Sequence, residues 1–250
     1  MDTATALWML TSSLIIGLAY FAGLTFVLGL LWRLYGYLRT PMPWPEATTP
    51  ASTSDTGAVV RVLGDVFFFP NLFKADKFLW AGAWLFHASL FFILFRHLRY
   101  FTYPVPGAVV AVEPYALWGG YIFGLAMLYL LWRRLVLPRT LYVSNLPDYG
   151  TLVLLGAIAA TGLLLKYWAH VYLVEVKAFT LGLLTLRPVA PPLHPLFLLH
   201  LLLVIGLLLY FPFSKLLHAG GVFFSPTRNQ PYQVQQPGQR YVNPWDFSAR

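Results

Sequence analysis

The sequence contains no cysteine among its 250 residues. Disulfide bonds, covalent haem attachment through a C-x-x-C-H motif and cysteine-held iron–sulfur clusters are therefore excluded. Charged residues are also scarce, at 10% of the chain against 58% hydrophobic residues. A soluble fold of this length would expose too much apolar surface to water. The composition favours a membrane protein in which any redox centre is bound without covalent attachment.

Five stretches are apolar and long enough to cross a bilayer, which takes roughly 20 residues per helix. The first extends from Thr3 to Trp32 without a charge, and Arg33 and Arg39 follow it. It lacks the basic start of a cleavable signal and its apolar stretch is too long for one, so we expect a permanent helix. The other four spans are predicted at 78–101, 114–132, 149–174 and 195–217.

These spans predict an all-α integral membrane protein, a bundle of five transmembrane helices. Residues 1–33 form the first helix, and 34–77 a cytoplasmic linker rich in Pro, Ser and Thr at its start. Within that linker, residues 59–77 alternate aromatic and charged side chains and are expected to lie at the membrane interface. Residues 78–218 form a four-helix domain, and 219–250 a cytoplasmic tail, rich in Gln, Pro and Asn, that is expected to order only against a partner.

Basic residues predict the orientation, because loops on the cytoplasmic side carry an excess of Lys and Arg. One side of the predicted bundle carries five of them, and the other carries twelve: Arg33, Arg39, Arg61, Lys74, Lys77, Arg133, Arg134, Arg139, Lys215, Arg228, Arg240 and Arg250. The N-terminus is therefore expected outside and the C-terminus in the cytoplasm, in a bacterial or archaeal plasma membrane. The formal net charge of +8 is explained by this topology without a nucleic-acid partner.

Four histidines lie within or at the end of otherwise apolar stretches. His87 and His97 are ten residues apart in the second span, and His200 and His218 are eighteen apart in the fifth. An ionisable side chain at membrane depth costs about 2.5–3.5 kcal/mol, so such residues usually face the bundle interior and have a function. A single one more often bonds a neighbouring helix or handles protons. Two histidines on each of two helices instead predict two facing pairs that ligate haem iron.

The predicted orientation decides which histidines face each other. His97 pairs with His200 near the outside, and His87 with His218 near the cytoplasm. The separations of the histidines along the two helices do not match. At 1.5 Å per residue, His87 and His97 are about 15 Å apart along the second span, whereas His200 and His218 are about 27 Å apart along a straight fifth span. Pro212 is expected to kink the fifth helix and to absorb part of this difference.

The residues around these histidines resemble a known family. The relevant stretches are Leu85-Phe86-His87, the run from Phe95 to Phe101, the run from His194 to His200, and the run from Tyr210 to His218. They are similar to the dihaem membrane cytochrome b subunit shared by respiratory nitrate reductase, where it is the gamma subunit, and the sulfite-reduction-associated Dsr transmembrane complex. The resemblance covers residues 59–229 and implies five helices, an outer haem b on His97 and His200, and an inner haem b on His87 and His218.

Two further segments are more similar to the Dsr branch, namely 64–69 and 219–229. This resemblance implies a subunit that transfers electrons between the quinone pool and cytoplasmic iron–sulfur subunits in sulfur metabolism. Bis-histidine ligation leaves no open iron position, so no substrate is expected on the iron. The alternative within the family is a quinol-oxidising subunit of the nitrate-reductase gamma type. An alternative of another class is a transporter or anchor without haem, although no internal repeat supports a transporter.

Other polar residues near the spans are candidates for the same chemistry. Arg96 and Arg99 adjoin an outer ligand and are expected to neutralise haem propionates or a quinone oxygen, unless they only extend to the interface. Lys215 is the corresponding inner candidate, unless it reflects topology alone. For the quinone site we predict His194, His170 and Lys166, with Tyr167, Trp168 and Glu175 nearby, because several of these exchange protons with a quinol. Interfacial aromatic belts offer a purely structural explanation of the same residues.

Overall fold

The computed structural model describes residues 2–40, 52–225, 229 and 231, and in this part of the chain every regular element is helical. The α-helices are α1 (Thr3–Arg39), α2 (Asp55–Phe68), α3 (Pro70–Ala75), α4 (Lys77–His97), α5 (Gly107–Ala111), α6 (Glu113–Val136), α7 (Pro138–Val143), α8 (Leu146–Tyr167), α9 (Leu173–Leu184), α10 (Pro195–Tyr210) and α11 (His218–Gly221). Residues 41–51 of the predicted linker and most of the predicted tail, with Arg228, Arg240 and Arg250, lie outside the described residues.

Helix α1 is longer than the predicted 1–33. Asp2 caps its start by accepting a hydrogen bond from the Thr5 N–H at 2.8 Å. The helix continues through Arg33 to Arg39, since arginine is a good helix former. It ends at Thr40, whose backbone is extended, as expected for a residue that precedes a proline in the sequence.

The predicted interfacial segment consists of two helices, α2 and α3. Ser54 caps α2 by accepting a hydrogen bond from the Gly57 N–H. The two helices are separated at Phe69, which has left-handed backbone angles of φ 48° and ψ 51°. Pro70 then begins α3, a position where its missing N–H costs nothing. Helix α2 is amphipathic, and its apolar side chains Val59, Val60, Leu63, Phe67 and Phe68 are exposed.

Five helices are long and apolar enough to cross a membrane, at Thr3–Arg39, Lys77–Tyr100, Glu113–Val136, Leu146–Tyr167 and Pro195–Phe213. They correspond to the five predicted spans, which confirms a multi-pass all-α membrane architecture. Large apolar side chains cover the outer faces of these helices, with Leu14, Phe91 and Leu125 each more than half exposed. Such a surface is suited to contact with lipid rather than water.

Two of the predicted spans end earlier than the sequence indicated. The fourth was expected to reach residue 174, but α8 closes at Tyr167, where the N–H groups of Trp168 and Ala169 both bond the Leu164 carbonyl. Residues 173–184 form a separate helix, α9, which the sequence reading did not anticipate. The fifth span was expected to reach residue 217, but α10 ends at Tyr210. Proline at 212 lacks the N–H that would continue the helical hydrogen bonds.

The helices pack in a row in which α4 contacts α6, α6 contacts α8, α8 contacts α10, and α10 contacts α1. The centre of the interior is formed by Phe123 and Met127 of α6 with Leu155 of α8. Phe86 of α4 and Leu207 of α10 pack against this cluster. Gly82 allows a close approach of α4 to α6, because a Cβ there would lie 2.5 Å from the Tyr129 ring. This arrangement places α4 and α10 on either side of the core formed by α6 and α8.

Candidate functional site

The four candidate ligand histidines lie on α4 and on the α10–α11 segment. In the described part of the chain these two segments do not pack closely against each other. Helix α4 packs on α6, and α10 packs on α8 and α1. The histidine side chains lie on the sides that face each other. His97 and His218 are exposed, and His87 and His200 are half-buried. Two separate pairs result, one at each end of the bundle.

The first pair is His87 with His218, whose ring centroids are 6.0 Å apart with ring planes at 86°. Nδ1 of His87 is hydrogen-bonded to the Ala83 carbonyl at 2.7 Å, and Nδ1 of His218 to the Lys215 carbonyl at 2.7 Å. A carbonyl only accepts, so each ring must carry its proton on Nδ1 to make this bond. Nε2 of both rings is then an unprotonated nitrogen available to a metal.

The second pair is His97 with His200, which lie close enough to interact electrostatically. Nδ1 of His97 is hydrogen-bonded to the Ile93 carbonyl at 2.7 Å. Nδ1 of His200 lies 2.8 Å from the Thr161 hydroxyl, which donates its own proton to the Ala157 carbonyl at 2.8 Å. With the Thr161 proton on the Ala157 carbonyl, His200 donates to Thr161 through Nδ1, and Nε2 of the neutral ring then carries no proton.

Gly162 makes the position of the His200 ring possible. A Cβ on this residue would lie 3.3 Å from His200 Cε1, a tight contact for any side chain. The absence of a side chain lets the imidazole of α10 lie against the backbone of α8, where Thr161 holds it. Thr161 itself is buried.

The His87–His218 pair has the separation that two imidazole ligands of one haem iron would need. A metal–imidazole bond of about 2 Å on each side of the iron, plus the ring radii, places two centroids roughly 6 Å apart, as His87 and His218 are. Histidines that ligate metals almost always donate the second ring N–H to a carbonyl or another acceptor, and all four do so here. No cluster of three or more His, Asp or Glu occurs in the described part of the chain. A haem needs only two protein ligands, since its macrocycle supplies the other nitrogens.

The height mismatch between the two spans has a structural explanation. After α10 the chain forms a 3₁₀ turn at 211–213, then becomes extended at Ser214, with φ −115° and ψ 174°. A second 3₁₀ turn at 215–217 leads to His218. The eighteen-residue spacing is thus not a straight helix, and the expected kink at Pro212 is a complete end of α10. The break after α10 lets His218 come level with His87.

Charged side chains near the pairs are ion-paired with acidic partners. Arg96 donates to Glu113 at the start of α6 at 2.5 Å, and Arg99 lies 3.9 Å from the same carboxylate. Lys215 contacts Asp148 at 2.8 Å, and Arg134 lies 3.8 Å from it. The Arg96 side chain is 13% exposed and that of Asp148 is 6% exposed, so the ion pairs Arg96–Glu113 and Lys215–Asp148 are partly screened from solvent.

One further acidic residue anchors the start of α4, eleven residues before His87. Asp76 caps the helix by accepting a hydrogen bond from the Leu79 N–H at 2.9 Å. This bond holds the pKa of the Asp76 carboxyl below its ordinary value. The guanidinium of Arg133 from α6 forms an ion pair with the same carboxylate and lowers its pKa further. Helices α4 and α6 are thereby joined at the end where the first pair lies.

The predicted quinone residues lie at the other end of the bundle, with His97 and His200. His194 caps α10, its Nδ1 accepting from the Phe197 N–H at 3.4 Å. Lys166 lies in the last turn of α8 and His170 lies in the following loop, both exposed. Glu175 belongs to α9 and lines a cavity of about 250 Å³ together with Trp8 of α1 and the segment 189–193.

Helix α9 crosses this end of the bundle. The Thr180 hydroxyl donates to the Tyr100 carbonyl at 2.5 Å, three residues after His97. The fully buried Phe179 packs edge-on against Phe197, with centroids 6.4 Å apart, three residues before His200. The helix therefore bridges the two segments that carry the second pair.

Several residues at the site were not anticipated from the sequence. Thr161, Glu113 and Asp148 contact the site from neighbouring helices, and nothing in their local sequence marks them. Phe69 was assigned to an amphipathic segment and to the Dsr-like stretch 64–69, without a role at the site, yet its ring centroid lies 5.1 Å from that of His87, edge to face. Phe86 makes a similar contact, with ring centroids 4.8 Å apart.

Comparisons with known proteins show the family. The family model described as "Nitrate reductase gamma subunit" matches residues 71–236. A protein of Archaeoglobus profundus named "Hdr-like menaquinol oxidoreductase cytochrome b-like subunit" is 35% identical over 275 residues, which cover 92% of this chain and 81% of the relative. A protein of Archaeoglobus fulgidus with the same name is 34% identical over 272 residues, covering 91% and 81%.

Proposed function

Because the chain belongs to the nitrate reductase gamma subunit family, we propose that it is the membrane cytochrome b subunit of a quinone oxidoreductase complex. The names of the two Archaeoglobus relatives support a menaquinol-linked redox role. The observation that carries the proposal is the two facing histidine pairs, in which Nδ1 of every ring is bonded to a polar partner and Nε2 of the neutral imidazole is left for a metal. That state is the one required of an axial ligand.

We assign the ligands of two non-covalent haems b to these pairs, one to His87 with His218 and one to His97 with His200. When bound, the haems supply reversible one-electron chemistry along the bundle. The chain contributes the ligands, their orientation and an apolar interior that limits water. Arg96, Arg99 and Lys215 remain candidates for contact with propionates, and their carboxylate partners Glu113 and Asp148 would share that contact.

We further propose that quinol is oxidised at the His97–His200 end. Oxidation of a quinol releases two protons with its two electrons, so proton acceptors are needed nearby. His170, His194 and Glu175 lie at this end, and Lys166 adds positive charge. The excess of basic residues at the opposite end favours the cytoplasm there, which would place quinol oxidation on the outer side.

The partner at the His87–His218 end is proposed to be a cytoplasmic iron–sulfur subunit, as in the Dsr-type complexes that the sequence resembles. The chain cannot supply such a cluster itself because it has no cysteine. A nitrate-reductase gamma-type role is the alternative, and copurified subunits distinguish the two. The C-terminal tail is the proposed docking segment.

The haem assignment is tested by purifying the subunit and determining its haem content. Acid solvent extraction and a pyridine haemochrome assay are expected to give two non-covalent haems b per chain. A content of zero would refute the cytochrome assignment, and a content of one would remove one of the two pairs.

The side of quinol oxidation is tested in the intact complex with a quinol analogue as reductant. Loss of the His97–His200 haem should block reduction of every later centre. Loss of the His87–His218 haem should leave the remaining haem reducible, with the electrons unable to pass further. Reduction of the His87–His218 haem at the wild-type rate without the other haem would place the quinol site at the opposite end.

A further inference from the structure

The end of α2 is fastened to α4 by two tryptophans. The indole N–H of Trp80 donates to the Phe68 carbonyl at 2.7 Å, and that of Trp84 donates to the Phe67 carbonyl at 3.0 Å. The last carbonyls of a helix have no partner within the helix, so these two bonds satisfy groups that otherwise need water. Phe73 of α3 packs edge-on against Trp80 at 4.9 Å and strengthens the same attachment.

The fastened helix end leads directly into Phe69. This residue has the left-handed conformation that a side chain with Cβ rarely adopts, and glycine would be the ordinary choice there. The turn directs the phenyl ring against His87, with centroids 5.1 Å apart and ring planes at 67°. A bulky residue in a glycine-like conformation is explained if its side chain has a task that glycine cannot perform.

We propose that Phe69 is a positioning residue of the His87–His218 haem site, held in place by Trp80 and Trp84. The inference rests on the proposed haem assignment and adds a residue from outside the membrane spans to it. The ring contacts the His87 imidazole and limits its rotation, together with Phe86, whose ring centroid lies 4.8 Å from that of His87. It also covers part of His87, which is half-buried.

This position predicts an effect on the redox potential. The apolar surroundings of a metal site control solvent access and thereby its potential. Ferric haem carries one more positive charge than ferrous haem, so water admitted near the ligand stabilises the oxidised form. Removal of the Phe69 ring should therefore lower the midpoint potential of this haem and leave the other haem unchanged.

The test is a redox titration of the purified subunit with the variant Phe69→Gly, which keeps the left-handed turn and deletes the ring. The expected result is a lower potential for one haem only, with an altered low-spin EPR signal for that haem. Phe69→Tyr retains the ring and should keep the wild-type midpoint potential and EPR signal of that haem. The matched control is Leu186→Gly, because Leu186 is an exposed residue with a positive φ of 57° that lies after α9, at the opposite end of the bundle.

A double variant, Trp80→Phe with Trp84→Phe, removes the two N–H donors and keeps the aromatic rings. It should lower the midpoint potential of the same haem, as Phe69→Gly does. If Phe69→Gly loses both haems, the midpoint potential and EPR signal of the His87–His218 haem in this double variant decide whether Phe69 has a positioning role. Two bound haems with unchanged potentials and signals in the deciding variant would overturn the positioning role alone. A wild-type subunit without haem would instead refute the proposed function.

Discussion

The two histidine pairs are built alike at the ligands and differently around them. Three of the four rings bond a backbone carbonyl of their own segment, whereas His200 bonds a threonine hydroxyl of another helix. The His87–His218 end is lined by the rings of Phe69 and Phe86. The His97–His200 end is crossed by α9 and has candidate proton acceptors around it.

This difference indicates that the two ends of the bundle have different roles. Aromatic rings exclude water and supply no protons, which suits a site that only passes electrons to a partner. Histidines and carboxylates near the other pair suit a site where a quinol must release protons. The ligands alone would not distinguish the two ends, so the comparison depends on what the neighbouring elements contribute.

The largest effect is expected from removing a ligand. His97→Ala or His200→Ala should abolish one haem and largely retain the other, and His87→Ala or His218→Ala should do the reverse. Each substitution leaves one side of the iron without its nitrogen while the second pair, at the far end of the bundle, is untouched. Redox titration and haem content of the four variants are the measurements. Loss of the same haem in the His87 and His97 variants would contradict the pairing.

An intermediate effect is expected from Thr161→Val, which removes the hydroxyl that orients His200 and preserves the side-chain shape. Removal of such a supporting group typically costs about 10–100-fold in metal affinity. Haem retention during dilution should therefore fall for the His97–His200 site only.

The matched control for this variant is Thr151→Val on the same helix. Its hydroxyl also bonds a carbonyl of the preceding turn and contacts α10, at the Tyr210 hydroxyl, but it touches no histidine. Equal haem loss in both variants would show that Thr161 acts through helix packing and not through His200.

The smallest effect concerns acid stability at the His87–His218 end. The pKa of Asp76 is lowered in the folded protein, first by the Leu79 N–H and also by Arg133. A carboxylate of this kind stabilises the fold above its unfolded pKa of 3.8, and the stabilisation is lost as the pH falls through the lower folded value. Asp76→Asn should therefore show a smaller loss of thermal stability than wild type when detergent-solubilised protein is acidified from about pH 6 to pH 3.

The control for this prediction is Asp2→Asn at the opposite end of the bundle. Asp2 also caps a helix and has a lowered pKa, through its hydrogen bonds with Thr5, but has no arginine partner. Its effect should be smaller still, because the pKa of Asp2 is lowered by hydrogen bonds with Thr5 and not by an ion pair as well. An acid profile of Asp76→Asn identical to wild type would show that the ion pair with Arg133 does not contribute to acid stability.

The long helices could be predicted from the sequence because length and hydropathy alone decide them. The starts of α4, α6 and α10 fall within one residue of the predicted 78, 114 and 195. The breaks could not be predicted in the same way. The turn at Phe69 depends on donors 12 and 17 residues away in sequence, Trp80 to Phe68 and Trp84 to Phe67, which no local pattern contains.

The site shows the same limit. Histidines in apolar stretches stand out because of their desolvation cost, so the candidate ligands were visible in the sequence. Thr161 lies 39 residues from His200, and Asp148 lies 67 from Lys215. A threonine or a carboxylate near a helix end has many ordinary uses, and only the packing of α8 against its neighbours gives these two their positions.

The break after α10 has a consequence for assembly. His97 and His200 belong to helices that cross the bundle, so their site is complete once α4, α8 and α10 have packed. His218 lies beyond the extended residue Ser214, on a short segment whose glycines 220 and 221 lie against Leu34 and Tyr37 of α1. The other site is therefore closed only when this last segment folds back onto the first helix. Cofactor loading should accordingly be sequential, with the His87–His218 haem acquired last and released first.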